Sequence, residues 1–375
     1  MVSFLDSVQK RAQNHVLSPD STHWAVFLQL TLTEILIIVA TAFHLDMIFL
    51  LNVGALLLFG HWCGCFIGIL LNNHWFYDII EDVSFLSALV WCYKISPPSK
   101  SLAFCLCAAF IWGVRLLLFL GWRIFVRGSD FRFEEMKNGR CYAIFCWTTG
   151  AFWCWMIGFC LWTRIDGEDI HNPSKNSLHR QPLLNTILFF LGVWFFVFGL
   201  IVEIWSDLQK VSAALLQYKY KGRYTSSRGK INPFKQFCFL LMPLLTLYDL
   251  NPDHFDLQYA FNRNYKSGEN SSWIEKGLWN YSRHPNYFGE IVCWTGMSTM
   301  CAFSVNFGEN TDMAQHVAAC FISPLWSFFF LTFTSMMLLE KKADEKWGTL
   351  KAYKIYKENT SILVPWFKVD KSRKD

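Results

Sequence analysis

Charge is scarce in this chain, and the short motifs that mark common enzyme classes are missing. Asp, Glu, Lys and Arg make up 17% of its 375 residues, against about 25% in an ordinary soluble domain. No G-x-G-x-x-G and no G-x-x-x-x-G-K-[ST] occurs, which removes the Rossmann and P-loop routes to a nucleotide. No G-x-S-x-G nucleophile elbow is present. The ten histidines form no H-x-x-H, H-x-x-x-H or H-x-x-H-H cluster. That excludes di-iron desaturase or hydroxylase chemistry, which needs several imidazoles per metal. The 13 cysteines contain no C-x-x-C pair, and most lie in apolar runs. There they act as small hydrophobes, so neither a disulfide framework nor a metal site is expected. No Lys/Arg stripe interleaved with aromatics points to nucleic acid. A cleavable signal is not expected either: Met1 to Thr22 is polar and basic, and the first apolar run is long enough to stay in a bilayer.

What the chain has is apolar length. Hydrophobic residues make up 53%, with 36 Phe and 18 Trp. Eight runs stand out, at roughly 24–43, 46–71, 78–93, 102–126, 141–162, 184–206, 287–306 and 314–339. A crossing helix needs about 20 predominantly apolar residues. The expectation is an all-α polytopic membrane protein with about eight transmembrane helices. A shorter apolar stretch, 234–250, holds Pro243 and reads as an interfacial or re-entrant segment. Gly60 and Gly64 form a small-xxx-small pair that suggests close helix packing.

The basic residues give the orientation. The segment 209–235 carries Lys210, Lys219, Lys221, Arg223, Arg228, Lys230 and Lys235 and no acid. From Glu340 onward there are ten Lys/Arg against six Asp/Glu. Lys10 and Arg11 precede the first run, and the 123–140 connection holds five arginines and lysines. Eight crossings put all four regions on one side, which the positive-inside rule makes cytoplasmic. The expected organisation is one integral membrane domain. Its parts are a cytoplasmic N-terminus (1–23), six helices (24–206), a basic connection (207–286) and a C-terminal cofactor region (277–367).

One stretch concentrates chemistry. Gly277-Leu-Trp-Asn-Tyr-Ser-Arg-His-Pro-Asn-Tyr-Phe-Gly-Glu290, continuing through Trp294 to Gly296, lies where a polar segment enters an apolar run. Arg283, His284, Asn286, Tyr287 and Glu290 supply a cation, an imidazole, an amide, a phenol and a carboxylate. Ionisable groups at such a mouth are costly and mark functional sites. They also suit a plain helix end, with Pro285 as the first helical residue. Spacings of three and four place Tyr287, Glu290 and Trp294 on one helix face. Binding a multiply charged dinucleotide without a Rossmann fold requires cations plus amide and phenol groups. Arg132, Gln209 and Lys210 fall on the same side and can join Arg283, His284 and Asn286. Glu34, Asp82 and Glu203 lie in or beside apolar runs as buried carboxylates.

Gly277-Leu-Trp-x-x-Ser-Arg-His-Pro-Asn-Tyr-Phe-Gly-Glu with Trp294 and Gly296 resembles the signature of steroid 5-alpha-reductase-like membrane proteins. The nearest pattern is the branch known as domain of unknown function 1295. Looser forms occur in sterol C14 reductases and in isoprenylcysteine carboxyl methyltransferases. Arg115…Arg123…Gly128-Ser-Asp-Phe-Arg132-Phe is similar to that branch's basic loop. Glu203-x-x-x-Asp207-x-Gln209-Lys210 is similar to its polar helix end, and Glu340 to Phe367 to its C-terminal segment. The resemblance implies NADPH, held by Arg283, His284, Asn286, Trp294, Asp207, Gln209, Lys210 and Arg132. It also implies hydride transfer to an activated carbon–carbon double bond of a lipophilic substrate; on the helix face read above, Tyr287 and Glu290 are the candidate catalytic residues. The acid–tyrosine pair that steroid reductases carry on early helices has no matching motif here. A methyltransferase using S-adenosylmethionine at the same corner, and a non-catalytic lipid-binding protein on the same fold, are the alternatives. The ending Lys371-Ser-Arg-Lys-Asp375 is similar to a basic retrieval signal, which implies the endoplasmic reticulum.

Overall fold

A computed structural model describes residues 24–44, 48–95, 98–127, 136–137, 139–166, 183–220, 273–304 and 313–367. The interfacial segment expected at 234–250, Arg132, and most of the basic connection lie outside them. The described residues are helical, with no strand among them. They fall into two compact units, 1–182 with 301–322 and 183–300 with 323–375.

The first unit holds α1 (Trp24–His44), α2 (Ile48–Leu71), α3 (Tyr77–Ile95), α4 (Lys100–Arg127), α5 (Arg140–Ile157), α6 (Phe159–Asp166) and α9 (Met313–Cys320). Helix α2 is its hub, packing on α1, α3, α5 and α6. Glycine lets it do so, because neighbouring side chains fill the space where its Cβ atoms would be. A Cβ on Gly60 would meet Ser84 Oγ of α3 at 2.6 Å, and one on Gly64 the Trp147 ring of α5 at 2.5 Å. Gly54 faces Ile38 of α1 in the same way. The small pair read from the sequence is therefore a packing surface.

Several polar groups inside this unit are tied to helix neighbours. Tyr77 donates to the Cys146 carbonyl at 2.8 Å, and Thr149 donates to Glu34 Oε1 at 2.8 Å. Arg123 pairs with the buried Asp78. The run expected at 141–162 is broken: α5 and α6 meet at Gly158 with a 58° bend. Trp162 occupies the space that a side chain at 158 would need, and its indole N–H donates to the Trp155 carbonyl at 3.0 Å.

The second unit holds α7 (Leu183–Tyr220), a 3-10 turn (Gly277–Asn280), α8 (Pro285–Phe303), α10 (Ile322–Phe330), a π-helical turn (Leu331–Met336), α11 (Met337–Trp347) and α12 (Lys351–Asn359). The last three residues of α8 and the first of α10 fall with the first unit. Glycines seven apart on α7 (Gly192, Gly199) meet glycines seven apart on α8 (Gly289, Gly296). A Cβ on Gly296 would lie 2.2 Å from the Phe196 nitrogen and 2.6 Å from the Gly192 oxygen. A Cβ on Gly199 would lie 2.3 Å from the Cys293 nitrogen. The backbones thus touch, as small residues permit in membrane helices. The outward face of α7 is large and apolar, with Phe190, Trp194 and Ile201 exposed.

Among the described residues, four helices are long and apolar enough to cross a membrane: Ile48–Leu71, Lys100–Ile124, Leu183–Lys210 and Ala314–Trp347. Counting the bent α5–α6 pair as one span gives five. The other three expected runs do form helices but carry shorter or more polar sequence. The apolar part of α1 is Phe27–Thr41. Helix α3 contains Asp78, Glu81, Asp82 and Lys94, and α8 contains Asn286, Glu290, Thr295, Ser298 and Thr299. Several long apolar helices make this an integral membrane protein.

Candidate functional site

The entrance to α8 is built by backbone before side chains contribute. Gly277 has φ +60, a left-handed conformation that glycine adopts without strain. A Cβ there would also strike the Gln209 amide at 2.1 Å. Gln209 Oε1 accepts from the Leu278 N–H at 3.1 Å, so α7 holds the following turn. Trp279 is buried, and its indole N–H donates to the Ser206 carbonyl at 3.2 Å. The Lys210 ammonium lies 4.8 Å from the centre of a Trp279 ring. The C-terminal segment closes the other side. The Arg283 N–H donates to the Ser361 carbonyl at 2.8 Å, and the Trp366 N–H to the Tyr281 carbonyl at 3.1 Å. Ser282 Oγ donates to the Leu363 carbonyl at 2.6 Å and accepts from the His284 N–H at 3.1 Å. Tyr356 donates to the Trp279 carbonyl at 3.0 Å from within a cluster of Trp273, Trp347 and Tyr353.

This frame presents Arg283 and His284 to one carboxylate. Glu340, on α11, pairs with the Arg283 guanidinium and accepts from His284 Nε2 at 2.8 Å. Lys357 of α12 stands 3.5 Å from the same carboxylate and 2.6 Å from Asp344. With Nε2 donating, the His284 ring has its lone pair on Nδ1. Burial holds the His284 pKa below its usual value, and the nearby Lys210 and Arg283 act in the same direction. The Glu340 hydrogen bond opposes them without reversing the outcome. Tyr287 lies on the His284 ring, with centroids 5.5 Å apart and planes 12° from parallel. Its ring is thus turned back toward the mouth of the helix.

The predicted residues divide accordingly. Arg283, His284, Asn286 and Tyr287 sit together at the start of α8, and Gln209 and Lys210 pack on the turn leading to them. Trp294 is buried further along α8, and Glu290 is half-buried one turn before it. Asp207 and Glu203 are buried on α7, with the Glu203 backbone against Gly289. Arg132 lies outside the described residues. Glu340 holds the site together, although the sequence marked it only as the start of a similar C-terminal segment. Its position as the first charged residue after the last apolar run was the available signal.

Arg283 Nε and Asn286 Oδ1 are both buried, and neither has a hydrogen-bond partner among the described residues. One is a donor suited to a phosphate or hydroxyl oxygen, and the other an acceptor suited to a hydroxyl or amide hydrogen. The first N–H groups of α8 lack intrahelical acceptors by construction and favour an anion. The residues present therefore fit such a ligand. Among the described residues, no group of three or more His, Cys, Asp or Glu side chains is arranged to hold a metal ion.

Neither a curated protein nor a solved structure matches the chain. A family model described as a protein of unknown function (DUF1295) matches residues 65–360. That span covers α3 through α12, with Gln209, Arg283, His284 and Glu340 of the corner, and the chain belongs to this family, the steroid 5-alpha-reductase-like branch.

Proposed function

We propose that this protein is a membrane oxidoreductase that uses NADPH to reduce a carbon–carbon double bond in a lipophilic substrate, of steroid, sterol or fatty-acyl-like character. The observation that supports the reading most is that Arg283 Nε and Asn286 Oδ1, buried at a helix N-terminus, have no hydrogen-bond partner among the described residues. Leaving such atoms without partners costs about 1–3 kcal/mol each. A site built to be filled by a ligand explains them. In this reading NADPH, when bound, supplies a hydride.

The chain's own residues do the rest. Arg283 and the α8 N-terminus hold phosphate, with Glu340 keeping the guanidinium in place until the ligand arrives. Asn286 receives a hydroxyl or carboxamide hydrogen. Lys210, Gln209 and the buried Asp207 complete the polar side of the corner. His284, neutral and donating to Glu340, fixes the ring of Tyr287. The Tyr287 phenol and Glu290 are the groups from which a proton is available to the reduced carbon framework. The proposed topology has eight crossings, with both termini cytoplasmic and this corner on the NADPH-containing side of the endoplasmic reticulum.

Arg283→Ala in detergent-solubilised protein tests the assignment. NADPH affinity should fall by at least the tenfold that about 1.4 kcal/mol represents, while the chain still inserts in membranes. Unchanged affinity would remove Arg283 from the site.

A further inference from the structure

We infer that the C-terminal strap, residues 361–367, together with the outward face of α12, is an interfacial anchor that seats in the headgroup layer of an anionic phospholipid leaflet. The strap runs through bends at 362–364, and along it exposed side chains alternate with more buried ones as far as Trp366. Leu363 turns inward. The outward positions are all large and apolar: Ile362 is 38% exposed, Val364 53% and Trp366 67%, with Phe367 at 79% beyond them. The strap follows α12 and is not part of any crossing helix. A segment facing only water would not repeat large apolar residues on its solvent side.

Neighbouring features point to lipid as the occupant. Tyr281 joins the patch, with its ring 6.2 Å from that of Phe367. Tyr281, Pro365, Trp366 and Phe367 line a shallow apolar groove of about 370 Å³. Trp and Tyr rings, apolar in body and polar at one edge, concentrate where bilayer meets water. Helix α12 adds an exposed stripe at spacings of three and four: Lys351, Lys354, Ile355 and Glu358. The sequence following the strap holds Lys368, Lys371, Arg373 and Lys374 against Asp370 and Asp375. Lysines near exposed aromatics suit anionic headgroups, because a lysine stem can lie along apolar surface while its ammonium group stays in water. The strap's hydrogen bonds to Tyr281, Ser282 and Arg283 then set the Arg283 corner at headgroup level.

The test uses the full chain in phosphatidylcholine nanodiscs, with and without phosphatidylserine. Phe367→Cys carries an environment-sensitive fluorophore, and the unsubstituted chain labelled in parallel measures the background from the exposed Cys63 and Cys107. The expected result is blue-shifted emission that is quenched by headgroup-level nitroxide lipid and little affected by iodide. The shift should deepen with phosphatidylserine and shrink in a Trp366→Ser background. Quenching by iodide without quenching by lipid would place the strap in water. Shielding from both quenchers would mean that another part of the chain or a second copy covers it. Either outcome overturns the inference.

Discussion

Removing the Glu340 carboxylate should cost more than any other single side-chain change at the corner. In Glu340→Ala, the Arg283 guanidinium and the His284 Nε2–H lose their shared acceptor, and Lys357 keeps only Asp344. Breaking a buried ion pair by deleting one partner costs about 3–5 kcal/mol. The side chains of Arg283 and Glu340 retain 11% and 13% exposure, so water screens part of that effect. About 3 kcal/mol is therefore expected. Arg283→Ala should cost less, about 2 kcal/mol, because Glu340 keeps His284 and Lys357 as partners. The double variant should then be less destabilised than the sum, by a coupling of about 1.5 kcal/mol. Denaturant unfolding of the three variants in one detergent measures this cycle. A Glu340→Ala cost below about 1 kcal/mol, or strictly additive effects, would refute the clamp.

Three further outcomes follow from other parts of the structure. Gly296→Val pushes Cβ into the α7 backbone, which cannot yield as a side-chain tip can, and should cost about 1–3 kcal/mol in unfolding experiments. Gly121→Ala, with nothing within 4 Å of its Cβ position, should be neutral or mildly stabilising in the same assay. For His284, the lowered pKa means the unfolded chain binds a proton at higher pH than the folded one. That contribution is complete above an unfolded pKa of about 6.5 and is lost as pH falls below it, with a slope of at most ~1.4 kcal/mol per pH unit. His284→Gln should flatten that part of the stability–pH curve. An unchanged curve would contradict a neutral, buried His284.

Much of the scaffold was legible because hydrophobic length and glycine spacing are local signals. The apolar runs predicted the helices, and Gly60 and Gly64 predicted a packing face. The corner was legible too, because Arg283 through Glu290 are adjacent in sequence. Its clamp was not, since Glu340 lies 57 residues from Arg283 and only folding brings α11 beside α8. The bend at Gly158 was hidden because hydropathy runs unbroken across it, while Trp162 packing decides the geometry. The α7–α8 contact could have been found, as Gly192/Gly199 and Gly289/Gly296 repeat the same spacing of seven. Helical periodicity put Tyr287 on a face with Glu290 and Trp294. It did not anticipate the side chain folding back onto His284, a contact set by the Glu340 hydrogen bond.

The proposal that this corner serves NADPH is tested most directly by ligand titration of the purified full-length chain in detergent. NADPH and S-adenosylmethionine are added separately while unfolding is followed. At a hundredfold excess over its dissociation constant, a ligand specific for the folded state adds about 2.7 kcal/mol. The predicted result is stabilisation by NADPH of the wild type and its loss in Arg283→Ala. Stabilisation by S-adenosylmethionine alone, or by neither ligand, would contradict the account.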